Sequence, residues 1–163
     1  MRDDPPNPKN TPPPERFRRV FTDSRPETMG YLEDIRAVID EFPERALLGE
    51  VQGGVDRIGQ FYDNARPRFH LPLNFMLLDT QWDVASLAAN IDQYLNSIPD
   101  GAWPVWILGS HDKPRIASTI GIEQARVAAM LLFVLPGTPI VMPVNEFGMP
   151  NLEIPPERVR DPL

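Results

Sequence analysis

An α/β fold with parallel strands is what this sequence predicts, and three observations predict it. Short runs such as Ala46-Leu47-Leu48-Gly49 and Val105-Trp106-Ile107-Leu108 lack polar residues instead of alternating, the pattern of strands buried on both faces. Between them lie stretches of about 12 to 16 residues whose apolar positions recur at helical spacing, so strand and helix take turns along the chain. Each of the two runs then stops abruptly on ionisable groups: Glu50 after Gly49, and Ser110-His111-Asp112-Lys113-Pro114-Arg115 after Leu108-Gly109. Such an order implies right-handed βαβ units, as either a small open sheet or part of a barrel.

Residues 1–23 begin as a Pro-rich arm, since Pro12-Pro13-Pro14 forbids regular helix or central strand. Ser24-Arg25-Pro26-Glu27 has the spacing of a capping box. It opens a helix over 26–42, marked by Met29, Leu32, Ile35, Val38, Ile39 and Phe42. After the strand ending at Gly49, Gly53-Gly54 turns into a second helix through Val55, Ile58, Phe61 and Tyr62. Leu73-Asn74-Phe75-Met76-Leu77-Leu78 reads as the next strand, and Asp83 as the cap of a third helix with the stripe Val84, Leu87, Ala88, Ile91, Leu95 and Ile98. Strand 104–108 and a helix over 122–135 follow, the latter packing Ala125, Ala128, Ala129, Leu132 and Phe133 on the sheet. Pro136-Gly137-Thr138-Pro139 ends that helix and leads into a last strand, Ile140-Val141-Met142.

Composition narrows the function. At 163 residues and 42% hydrophobic content the chain suits one ordinary domain. A formal charge of −7 leaves no basic surface for a phosphate backbone, so nucleic acid is not an expected partner. No apolar stretch reaches the roughly 18 residues of a membrane span, and the N-terminus has no signal-peptide core. A cytoplasmic location is the default expectation. With no cysteine and only two histidines, His70 and His111, neither thiol chemistry nor a metal site is expected. There is no Gly-rich phosphate loop, and no cofactor is expected.

The chemistry is read at the two strand ends. Loops at the carboxyl ends of parallel strands carry active sites, and two carboxylates from two strands, Glu50 and Asp112, suit glycoside chemistry. As a general acid Glu50 needs a raised pKa, which an apolar rim and neighbouring carboxylates supply; its structural alternative is a surface glutamate after a strand. Asp112 reads equally as a helix N-cap ahead of Lys113-Pro114-Arg115. His111 is otherwise a capped loop histidine, and Arg115 a surface ion-pair partner. Asp79, Glu146 and Trp106 read as a turn, a rim charge and core packing. The acidic run Glu33-Asp34 with Asp40-Glu41 reads as a solvated helix face.

Three elements in order, Leu47-Leu48-Gly49-Glu50, His111-Asp112-Lys113-Pro114-Arg115, and Leu135-Pro136-Gly137-Thr138-Pro139 running on to Glu146-Phe147-Gly148-Met149, resemble the α-amylase superfamily. Asp4-Pro5-Pro6-Asn7-Pro8 and Ile154-Pro155-Pro156-Glu157-Arg158-Val159 are similar to its α-glucosidase and isomaltase-like branch. The resemblance spans nearly the whole chain, from Asp3 to Leu163. It implies the C-terminal half of a (β/α)8 TIM barrel, helix 4 and strands 5 to 8. In it Glu50 ends the fifth strand as general acid/base and Asp112 ends the seventh, where it stabilises the oxocarbenium-like transition state. His111 and Arg115 would bind hydroxyls of the same glucosyl unit.

The chain also departs from that pattern. The family's nucleophilic aspartate on the fourth strand has no counterpart, Ser110 stands for an asparagine, and Pro143-Val144-Asn145 replaces aromatic and small residues. The expectation is therefore a fragment of a retaining α-glucosidase acting on α-glucosides or oligosaccharides. Alone it is expected to be inactive, to need the N-terminal half of the barrel, and to self-associate through open sheet edges. The alternatives are a non-catalytic glycosidase-like module and a transglycosylating relative of the trehalose synthase or sucrose isomerase type.

Overall fold

The first helix begins where its sequence allows. Pro26, with φ already fixed near the helical value, opens α1 (Pro26–Asp40), and Arg25 is the N-cap without a side-chain bond. The computed structural model describes Pro6 and residues 25–51, 53–63 and 65–160. Ser24 of the expected capping box and, apart from Pro6, the Pro-rich arm over 1–23 lie outside the described residues.

Four strands then alternate with helices: β1 (Leu48–Glu50), α2 (Val55–Tyr62), β2 (Leu71–Leu73), α3 (Met76–Asp79), α4 (Val84–Ser97), β3 (Val105–Ile107), α5 (Ile116–Ile120), α6 (Ile122–Val134) and β4 (Thr138–Ile140). The α/β class and the parallel pairing are as the sequence predicts. Leu48 stands opposite Leu71 and Glu50 opposite Leu73 in one parallel pair; Val105 faces Thr138 and Ile107 faces Ile140 in the other.

Among the described residues the two pairs do not join into one ladder, although β2 packs beside β3. Proline explains the gap. Leu71 donates its N–H to Leu47 C=O at 3.2 Å, so alternation along the strand turns Pro72 toward β3, where it offers no donor. Val105 N–H finds the Tyr94 hydroxyl instead, at 3.1 Å. The same logic holds in the second pair: Thr138 N–H donates to Pro104 C=O at 2.8 Å, so Pro139 turns its backbone to the outer edge of β4.

Three elements differ from the sequence reading. The strand expected over Leu73–Leu78 ends at Leu73, because the buried Asn74 accepts the Met76 N–H on Oδ1 at 2.9 Å and starts a helical turn. The last strand lies at Thr138–Ile140 rather than Ile140–Met142, since Gly137, at φ +130°, turns the chain directly onto β3. The short α5 precedes α6, the two separated by Gly121 at φ +84°. The α4 cap is as expected, with Ser86 N–H donating to Asp83 Oδ1 at 2.9 Å; the Ser86 hydroxyl first, and this N–H next, lower the Asp83 pKa. Val84 turns outward and Tyr94, absent from the expected stripe, is fully buried. Of the α6 stripe Ala125, Ala128 and Leu132 are buried, while Ala129 and Phe133 are exposed.

The core centres on Trp106, Tyr94 and Ile58. Trp106 meets Tyr94 edge to face at 5.0 Å and donates its Nε1–H to Pro136 C=O at 2.7 Å. The Tyr94 hydroxyl, having accepted Val105 N–H, lies 2.9 Å from the Tyr62 hydroxyl, which donates to Trp103 C=O at 3.0 Å. In this chain each buried hydroxyl both gives and receives. Burial raises the pKa of both phenols. His70 ties α1 to β1: its Nδ1 accepts Leu47 N–H at 2.9 Å and its Nε2 lies 3.3 Å from Asp40 Oδ1. Burial, and next the Arg36 charge, lower its pKa.

Candidate active site

A cavity of about 550 Å³ opens where β1 and β3 end, and Glu50 and Asp112 both line it. Glu50 is the last residue of β1. The strand places it there because Gly49 lies under the ring of Phe69, where a Cβ has no room. Asp112 sits three residues beyond the buried Gly109, in a loop where its own N–H donates to Ser110 Oγ at 3.2 Å. It does not cap a helix, because α5 starts later, with Arg115 at its N-cap.

Of the further polar lining, Asp79 was read from the sequence as a turn, and Thr80, Asn90 and Lys113 were given no role. Asp79, Thr80 and Asn90 come from α3, the residue after it and α4, and Lys113 comes from the Asp112 loop. Lys113 Nζ reaches Asp79 Oδ1 at 2.8 Å, which straps that loop to α3. Asn90 Nδ2 donates to Thr80 Oγ1 at 2.8 Å, and Thr80 Oγ1 donates to Met76 C=O at 2.7 Å. The only available signal was the spacing of polar residues after Asn74, which is legible once Asn74 is recognised as a turn.

His111 and Arg115 lie outside that lining. His111 is largely solvated, its Nε2 3.3 Å from Asp112 Oδ1. Arg115 turns the other way: its N–H donates to Asn151 Oδ1 at 3.0 Å and its Nη1 to Pro143 C=O at 3.1 Å. It thereby fixes the segment after β4, where Val144 holds a left-handed φ of 68° that a β-branched residue rarely adopts.

Chemically, the lining offers three carboxylates against one ammonium, with the apolar edges of Phe75 and Met76 beside them. Such a site disfavours anions and suits a neutral, hydroxyl-rich ligand or one that gains positive charge. Glu50 and Asp112 are both exposed, so this chain does not itself supply the burial that the acid reading of Glu50 relied on.

Comparison with known proteins gives concordant results. The family model for the α-amylase catalytic domain matches residues 2–162. Maltase A1 of Drosophila melanogaster is 31% identical over 156 residues, covering 89% of this chain and 27% of that protein. The chain thus spans about a quarter of the length of the curated relatives it matches. A human amino acid transporter heavy chain is 42% identical over 62 residues, 38% of this chain and 9% of that protein. Among solved structures, an isomaltulose synthase from Protaminobacter rubrum superposes with a TM-score of 0.71 at 21% identity, over 83% of this chain and 28% of that one.

Proposed function

From the premise that this chain belongs to the α-amylase catalytic-domain family, we propose that it is the second half of a retaining α-glucosidase-type barrel, helix 4 and strands 5 to 8. The complete enzyme hydrolyses or transfers terminal α-linked glucosyl units. The observation that carries this reading is the pair Glu50 and Asp112, both at the carboxyl ends of parallel strands and both on one cavity. The maltase relationship favours an α-glucoside as substrate.

In this mechanism an aspartate supplied by the remainder of the barrel attacks the anomeric carbon while Glu50 protonates the departing oxygen. Glu50 then takes a proton from a water whose oxygen attacks the anomeric carbon and displaces the aspartate, releasing the sugar with its anomeric configuration retained. Asp112 stabilises the positive charge that develops on the ring in both steps. His111, its Nε2 3.3 Å from Asp112 Oδ1, binds hydroxyls of the same glucosyl unit. Arg115, which holds the β4 segment, is assigned hydroxyl binding only if that segment moves when the barrel is complete.

The test mixes this chain with a polypeptide carrying the first half of the Drosophila maltase barrel and follows nitrophenol release from an α-glucoside. The chain alone gives none and the mixture gives turnover. In the mixture Glu50→Gln lowers turnover by about 10² to 10⁴, with partial rescue on glucosyl fluoride, whose leaving group needs no proton. Turnover by the chain alone, or equal loss on both substrates, overturns the assignment. The 62-residue match to a transporter heavy chain favours a second reading, a non-catalytic module; an inert but assembled mixture selects it. Products from maltose and sucrose separate a hydrolase from a sugar isomerase.

A further inference from the structure

Among the described residues that line the cavity, Lys113 is the one cation, and it stands next in sequence to Asp112. Its ammonium is nevertheless paired elsewhere. Lys113 Nζ lies 2.8 Å from Asp79 Oδ1, whereas the ion-pair contact of Asp112 is with His111 Nε2 at 3.3 Å. Of the three carboxylates on the cavity, Glu50, Asp79 and Asp112, the ammonium is thus bound to the one outside the pair assigned to the reaction.

Asp79 is braced from behind. It ends α3, a helix begun by the Asn74 turn and closed by Thr80 Oγ1, which donates to Met76 C=O at 2.7 Å. Asn90 Nδ2 donates to the same Thr80 hydroxyl at 2.8 Å, and Tyr94, one turn further along α4, is fully buried. The scaffold therefore sets the place of Asp79 without help from Lys113. The ion pair itself is exposed, the side chains of Lys113 and Asp79 keeping 48% and 63% of their surface, so it adds little to folding. What it decides is where one positive charge rests.

We infer that Asp79 is a positioning residue: it holds the Lys113 ammonium at α3, and so keeps Glu50 and Asp112 free of a competing cation. The inference rests on the assignment of those two carboxylates to the glycosidic reaction. A lysine ammonium is a point charge on a flexible four-carbon stem, and once released from Asp79 it has two other carboxylates on the same cavity to turn to. A cation seated at either one opposes the positive charge that the reaction develops on the sugar ring. Loss of the two partners should then differ in effect. Without Asp79 the ammonium intrudes; without Lys113 nothing intrudes, and Asp79 is left as a solvated carboxylate. A pair that merely tied the Asp112 loop to α3 would suffer equally from the loss of either.

The sequence contains two lysines, Lys9 and Lys113, so the full chain labelled with ¹³C at the lysine ε-carbon gives two signals, which Lys9→Arg identifies. In the parent the Lys113 signal is expected to relax as a held side chain. In Asp79→Asn it should change position yet stay held, because the ammonium moves to Asp112 or Glu50; adding Asp112→Asn and Glu50→Gln should release it. Release by Asp79→Asn alone overturns the proposal, as does a signal that Asp79→Asn leaves unmoved or one already mobile in the parent. In the reconstituted mixture Asp79→Asn should lower kcat about tenfold, and the loss should shrink as salt screens the released charge. Adding Lys113→Met to Asp79→Asn should recover most of that loss. A double variant as poor as Asp79→Asn, or a loss indifferent to salt, makes the pair a mechanical tie and overturns the proposal. An inert parent mixture counts against the glycosidase reading, and the lysine signal then decides the proposal by itself.

Discussion

The two parallel pairs share a topology and differ in packing. β3 buries all three of its residues, with Tyr94 and Trp106 interlocked against it. β1 buries only Gly49, and Leu48 and Glu50 on either side of it are exposed. Both pairs deliver a carboxylate to the same cavity, so Asp112 stands on a finished scaffold while Glu50 stands on one with open flanks. Burial concentrates where the connecting helices close over the strands, as α4 and α6 do over β3.

The largest test of this contrast pairs Trp106→Ala with Leu48→Ala. Removing the buried indole should cost about 3–5 kcal/mol in urea unfolding, whereas truncating the exposed leucine should stay within about 0.5 kcal/mol. Comparable losses would erase the distinction between the two pairs. Gly49→Ala probes the one tight point of β1: the methyl group meets the Phe69 ring, and an overpacking cost of about 1–3 kcal/mol is expected. A neutral result would mean that Phe69 moves freely. Tyr62→Phe removes the donor to Trp103 C=O and the partner of the Tyr94 hydroxyl, for a loss of about 1 kcal/mol by thermal denaturation.

The smallest expected effect belongs to the junction of α1 and β1. The folded-state pKa of His70 is lowered from its unfolded value of 6.5. Its contribution is therefore complete above pH 6.5 and is lost as pH falls through the lowered folded value, because protonated Nδ1 no longer accepts Leu47 N–H. Unfolding free energy measured between about pH 7.5 and 5 should decline in the parent and decline less in His70→Phe. Parallel curves would remove His70 from the account.

Much of this architecture was legible in residue patterns. The helical spacing of Met29 to Phe42, the cap at Asp83 and the wholly apolar run at Val105 each led to the right element, because each rests on local chemistry that tertiary context did not override. The reading failed at Asn74, where a polar residue inside an apolar run was absorbed into a strand; its side chain instead mimics a backbone turn and buries itself. It also failed at Pro139, taken as a breaker although an outward-facing proline is tolerated at a strand edge. At the cavity, Glu50 and Asp112 were singled out because strand ends advertise themselves, and both line it. Asp79 was read only as a turn, and Thr80, Asn90 and Lys113 were given no role, because what gathers them is the turn at Asn74 and an ion pair between residues 34 positions apart.

Pro139 has a consequence for what happens when copies of this chain crowd together. A filament of stacked strands grows only if every added copy presents a competent edge at both ends. At the outer edge of β4 the middle residue has no N–H to give, so one face of each copy is a poor template for the next. A proline conventionally read as an interruption thus also makes this edge a poor site for strand addition.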